Sequence, residues 1–213
     1  MSNISDHPPA WYPALAPYIE RDGGSVELKT PITPITGQSI HAVPAVFMRF
    51  PRWTGEPFVD DFGKKSGALI DLNGEHLFAE IAILRLLEAE GWSGRWVNTY
   101  SGRGEVWKYL TEWKDVPRAE QRNRPIEEAE PRQLLARIAA LNRPARYAGC
   151  WDIFAWRDSD VAFFECKRTA PKSTDQVKAE QENWLRSALY TGDPRLNLQS
   201  FCFVQWDYQK GAP

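Results

Sequence analysis

Asp152, Glu165 and Lys167 are the residues of this sequence whose types and spacing best suit chemistry. They lie in Gly149–Lys167, which reads GCWDIFAWRDSDVAFFECK. Two runs rich in aromatic and β-branched residues, Cys150–Trp156 and Val161–Lys167, flank the polar tetrad Arg157–Asp158–Ser159–Asp160. That is the pattern of a strand, a turn and a strand. A turn centred between Asp158 and Ser159 sets Trp156 opposite Val161, Phe154 opposite Phe163 and Asp152 opposite Glu165. Side chains alternate along a strand, so Asp152, Glu165 and Lys167 project from one face. Both faces are otherwise apolar, with Phe154 and Phe163 on one and Ile153, Ala155, Phe164 and Cys166 on the other. Such a hairpin belongs in the interior of a covered sheet.

Two carboxylates facing each other there repel. Opposed side chains lie about 5 Å apart, which at an effective dielectric of 20 amounts to roughly 3 kcal/mol. A shared proton, a neighbouring cation or a divalent metal must offset this. Lys167 is one such cation. A hard metal held by Asp152, Glu165 and a nearby backbone carbonyl fits the residue types better, and leaves Lys167 to position or deprotonate a water.

An aspartate, a gap of about a dozen residues and then Glu-x-Lys resembles the PD-(D/E)XK nuclease superfamily. The stretch Gln181-Glu182-Asn183-Trp184-Leu185 is similar to the Q-x-x-W-L helix of its VRR-NUC branch. The resemblance spans roughly Asn73 to Tyr208 and is specific at Gly149, Asp152, Glu165, Lys167, Gln181 and Trp184. The sequence departs from the pattern at Trp151, where the family has a proline. The resemblance implies a restriction-endonuclease-like α/β sandwich, a mixed sheet flanked by helices. It implies Mg²⁺ or Mn²⁺ held by Asp152, Glu165 and the Cys166 carbonyl, with Gln181 holding the attacking water or a phosphate oxygen. An acidic residue on the preceding helix would complete the metal shell.

The elements that must position these residues are legible in part. Asn73 can cap a helix with Glu75 in its first turn and Gly91 at its end. Leu77, Ile81 and Leu84 form one stripe of that helix, widened by Phe78, Ala82 and Leu86. Glu80 falls on the inward side, so it is the candidate acid, with Glu88 in reserve; an ordinary helix glutamate is the plain alternative. Trp96–Tyr100 is expected to be the first strand. Pro131 suits the first turn of a helix running to about Leu141, which Pro144 forbids from continuing. After the hairpin, Ser173 and Gln176 have capping-box spacing for a helix ending near Tyr190. Its apolar stripe of Val177, Trp184, Leu185, Ala188 and Leu189 carries Gln181 inward, where an amide needs partners. Gln199–Trp206 supplies a last strand.

At 213 residues the chain is long for one compact domain. We expect residues 72–213 to form the core, with a charged helical insertion at about 101–146, and residues 1–71, rich in proline and aromatics, to form an extension packed over it, in preference to a substrate-gripping or dimerising arm. Ala45–Phe50 could be a short strand within that extension. The net charge of −2 argues against a generally basic coat, so nucleic acid must meet a local patch. Arg168 and Lys172, just past the site, could hold flanking phosphates. From Lys114 to Arg146 eight basic residues stand against five acidic ones, either a DNA-facing surface or a solvated mixed-sign one. Cys150, Cys166 and Cys202 sit in apolar runs and read as buried thiols of a reducing cytosol. No run approaches the ~20 apolar residues of a membrane span, and Met1–Tyr12 lacks the pattern of a secretory signal.

These readings converge on a cytoplasmic, metal-dependent nuclease acting on phosphodiester bonds, with DNA as the expected partner and a homodimer favoured where both strands of a duplex are cut. The competing class is an inactive nuclease-fold module that binds nucleic acid or a protein. A third reading makes Glu165 and Lys167 a buried ion pair without further role.

Overall fold

Apolar runs from both ends of the chain meet in a single sheet. The computed structural model describes residues 8–33, 37–56, 58, 60, 69–99, 103–169 and 177–209, with 29–33 and 37–39 as backbone only. A short helix α1 (Tyr12–Leu15) precedes two long strands, β1 (Ile19–Thr33) and β2 (Gly37–Phe50). A small hairpin follows, β3 (Ile70–Leu72) and β4 (Glu75–Leu77), then helix α2 (Ala79–Ala89). Next come β5 (Ser93–Asn98), β6 (Lys108–Leu110), helix α3 (Ala129–Leu141), β7 (Ile153–Arg157) and β8 (Asp160–Arg168). Helix α4 (Ala179–Tyr190) and β9 (Phe201–Tyr208) complete the order.

Seven strands form one mixed sheet in the order β1-β2-β9-β8-β7-β5-β6. β2, β9 and β8 run parallel, and the remaining pairings are antiparallel. The hairpin has the expected register: Trp156 pairs with Val161 and Phe154 with Phe163, whose rings stack 4.7 Å apart. β7 and β8 are interior strands, as their two apolar faces demand. Ile153, Ala155, Phe164 and Cys166 join α2 in one apolar cluster. Phe154, Phe163, Phe201 and Phe203 join Trp184, Leu185 and Ala188 of α4 and Leu134, Leu135 and Ile138 of α3 in the other. The protein is thus an α/β fold with helices on both faces of a central mixed sheet. All three cysteines are buried free thiols, and no helix among the described residues is long and apolar enough to cross a membrane.

Three expectations are corrected. Asn73 does not cap a helix: with Gly74 it makes the two-residue turn of the β3–β4 hairpin, at φ 56° and 87°. Asn-Gly is the pair best suited to two consecutive left-handed positions, and this chemistry outweighs the capping signal. Leu77 and Glu75 therefore lie on β4, and α2 starts at Ala79. Second, the N-terminal stretch is woven into the sheet and not laid over it: Ala45–Phe50 is the part of β2 that pairs with β9. Third, the first core strand is shifted to Ser93–Asn98, because Gly91 (φ 80°) ends α2 only two residues earlier. α3 and the end of α4 lie where the sequence places them. Ser173, Gln176 and Lys172 lie outside the described residues, and α4 begins at Ala179.

Candidate functional site

The site forms where β7 begins. The ladder between β7 and β8 ends at Ile153 and Phe164. One step further, a continued ladder would bond the Cys166 N–H to the Trp151 carbonyl. The Cys166 N–H instead donates to Asp152 Oδ2, 2.9 Å away. The Asp152 carbonyl accepts the Val97 N–H at 2.8 Å. Asp152 therefore ties β5 to β8 across the start of β7, its main chain bonded to one strand and its carboxylate to the other. In an antiparallel pair a residue directs its N–H and C=O to the same side. The Cys166 carbonyl thus points toward Asp152 as well.

Glu165 is buried, at 2% exposed, and Lys167 Nζ lies 2.9 Å from its Oε1. The same oxygen accepts a hydrogen bond from Gln181 Nε2. Gln181 Oε1 accepts the Lys178 N–H at 2.9 Å, so the amide is anchored at both ends as α4 begins. The repulsion expected between opposed carboxylates is thereby met in part within the chain: an ammonium and an amide serve Oε1 of Glu165 and a main-chain N–H serves Asp152, while Glu165 Oε2 is buried and accepts no hydrogen bond among the described residues. Burial pushes the Cys150 thiol well above its ordinary range, and the charges of Glu165 and then Asp152 add to this. Both carboxylates therefore act on the same buried thiol.

Two residues hold α4 against this corner. Gly149, at φ 79°, lies so close to the first turn of α4 that a Cβ would sit 2.0 Å from the Glu180 carbonyl oxygen. Only glycine permits both that conformation and that approach. Trp151 is fully buried, packs on Phe201 and Phe203 with ring centroids 5.0 and 4.7 Å away, and donates its indole N–H to the Gln181 carbonyl at 3.3 Å. In the sequence Trp151 stands out only as a departure from a pattern. Its apolar bulk two residues after Gly149, with one polar handle, is the signal for a helix support.

The remaining candidates separate. Phe78, at the N-cap of α2, packs on Trp96 with centroids 5.9 Å apart, and Trp96 pairs with Ile153. The first turn of α2 therefore lies at the same end of the sheet as Asp152, and Glu80 is buried there, as its position on the stripe predicts. It comes from the helix that covers the opposite face. Glu88 is half-buried and pairs with Arg85 at 3.1 Å. Arg168 also points to that opposite face, its guanidinium 4.6 Å from the Tyr208 ring and 3.9 Å from Asp207, so it is not aimed at Glu165. Of the basic surplus after Lys114, Arg118, Arg137 and Arg146 are each matched by an acid, Asp60, Asp193 and Glu105. This favours the mixed-sign solvated surface.

The donor set suits a hard divalent cation: Asp152, Glu165 and the Cys166 carbonyl offer only oxygen. Mg²⁺ is commonly held by one or two carboxylates, with water and phosphate filling the other positions. Among the described residues no three His, Cys, Asp or Glu side chains form a group able to hold a metal, and of these residues Asp152 and Glu165 are the two carboxylates that would hold such an ion. No family model, curated protein or solved structure matches this chain.

Proposed function

We propose that this protein is a metal-dependent nuclease of restriction-endonuclease-like fold that hydrolyses phosphodiester bonds, in DNA before RNA. The observation that carries the reading is the meeting of Asp152, Glu165, Lys167 and Gln181 at one corner of the central sheet. Asp152, Glu165 and the Cys166 carbonyl would hold Mg²⁺ or Mn²⁺. When bound, such an ion polarises a phosphodiester and activates water for attack. Lys167 places a positive charge where negative charge grows on phosphorus, or orients the water. Gln181, engaged at both ends of its amide, is a positioning residue that fixes Glu165. Glu80, buried on α2 at the same end of the sheet but on its opposite face, has no assigned role in this reading.

The inactive-module reading has one observation in its favour, the engagement of Glu165 Oε1 by Lys167 and Gln181 without any ion, although Oε2 of the same carboxylate is buried and accepts no hydrogen bond among the described residues. Labelled linear, flapped and four-way DNA substrates, incubated with Mg²⁺, Mn²⁺ or chelator, separate the two. Cleavage that needs metal and disappears in Lys167→Ala is the expected result. Metal-independent binding with no cleavage of any substrate would leave the binding module as the answer.

A further inference from the structure

The N-terminal strands extend the candidate site across the sheet. Lys167 pairs with Gln205 on β9, Gln205 with Phe47 on β2, and Phe47 with Arg21 on β1. Residues paired in register project to the same face, so these four side chains form one row on the face that carries Glu165 and Gln181. At a strand spacing of about 4.8 Å the row covers about 14 Å from Lys167 to Arg21.

Regular alternation would not put Arg21 there. Ile19 pairs with Met48, whose side chain belongs to the apolar cluster under α2, and a strand returns to the same face every second residue. The register shifts between Ile19 and Arg21, so Glu20 is an extra residue and Arg21 turns to the opposite face. A bulge that re-aims one side chain is a feature and not a defect. A second shift between Asp22 and Ser25 closes the turned segment on its other side.

The bulge also arranges the charges. Glu20 pairs with Arg49 Nε at 2.5 Å, and Arg49 donates to the Tyr208 carbonyl at 2.9 Å. Arg49 and Arg21 lie 4.9 and 4.6 Å from the centroid of Phe47, which is buried. Lys167 answers Glu165, and Arg168 answers Asp207. Arg21 is exposed, and among the described residues no carboxylate pairs with it. Its guanidinium is held in place by a ring alone, which leaves its donors for an anion outside the chain.

We propose that the row from Lys167 to Arg21 is a phosphate track, on which a nucleic-acid strand crosses the sheet and Arg21 grips a phosphate remote from the reacting one. This rests on the nuclease reading for the identity of the polyanion. The distance corresponds to about four nucleotides of one B-form strand, and Gln205 offers a neutral donor between the two cations. The N-terminal strands are then part of the binding surface of the enzyme.

Anisotropy titrations of the full chain with a labelled single-stranded DNA oligonucleotide, in chelator and over a range of salt, test this. Arg21→Ala should bind roughly three- to tenfold more weakly at ~0.1 M salt and lower the salt slope by about 0.7. Arg21→Lys should keep the slope, and Arg157→Ala, at the far end of β7, should bind as wild type. Thermal melts of each variant establish that it is folded. Wild-type affinity and slope in folded Arg21→Ala overturn the track while leaving the nuclease reading intact. Conversely, weakened binding in Arg21→Ala, with cleavage unaffected by Asp152→Ala, supports the track and removes the nuclease assignment from Asp152.

Discussion

Asp152 Oδ2 accepts the main-chain N–H of Cys166 at 2.9 Å, in the place where the β7–β8 ladder would otherwise continue. The carboxylate expected to face Glu165 is thereby also a strand connector, and asparagine can keep that hydrogen bond while losing the charge. Wild type should gain thermal stability with millimolar Mg²⁺ or Mn²⁺, about 1.4 kcal/mol when free metal is tenfold above its Kd. Asp152→Asn should fold and lose most of that gain. Equal stabilisation of the two proteins in thermal melts would show that Asp152 is not a ligand.

Alanine at Asp152, Glu165 or Lys167 should abolish cleavage, and Gln181→Ala should slow it by releasing Glu165. A single-turnover assay with the labelled substrates above reads all four. Wild-type cutting by purified Asp152→Ala removes the assignment outright.

Lys167 carries a stability consequence independent of any substrate. Its side chain is 11% exposed and that of Glu165 3%. Removing one partner of such a pair strands the other charge, at a cost of about 3–5 kcal/mol. Lys167→Met should melt well below wild type, and Lys167→Met/Glu165→Gln should recover much of the loss. A double variant no more stable than Lys167→Met would show that the pair is not the source of the cost.

Trp151 supports α4 through packing and one hydrogen bond. Trp151→Phe retains most of the packing and should cost about 1 kcal/mol. Trp151→Ala should cost about 3–5 kcal/mol and reduce cleavage by freeing Gln181. Denaturant titrations of the two variants check the ordering.

The Asn73–Gly74 turn offers a control away from the site. Gly74 sits at φ 87°, and a Cβ there would meet no atom within 4 Å, so Gly74→Ala brings conformational strain and no clash. A loss of roughly 1–2 kcal/mol with unchanged cleavage is expected. A fall in activity beyond the stability change would tie this hairpin to the site.

Much of the central hairpin is written in local pattern. The alternation of Phe154, Phe163 and their neighbours, together with a polar turn, determines register, face and burial without reference to the rest of the chain. The same period places Asp152, Glu165 and Lys167 on one side, and helical spacing turns Gln181 and Glu80 inward. These are short-range consequences of backbone geometry, so one sequence suffices for them.

What the tertiary structure decided depends on pairings between distant segments. No local signal announces that β2 runs parallel to β9, since such a pairing joins residues more than 150 positions apart through main-chain bonds that any residue can make. Nor can spacing show that Trp151 reaches the Gln181 carbonyl. The bulge at Glu20 exists only relative to the partner strand, and it alone places Arg21 on the face of Lys167. Side-chain type and period were determined by the sequence itself; which strands became neighbours, and so which charges share a surface, was settled only when the sheet assembled.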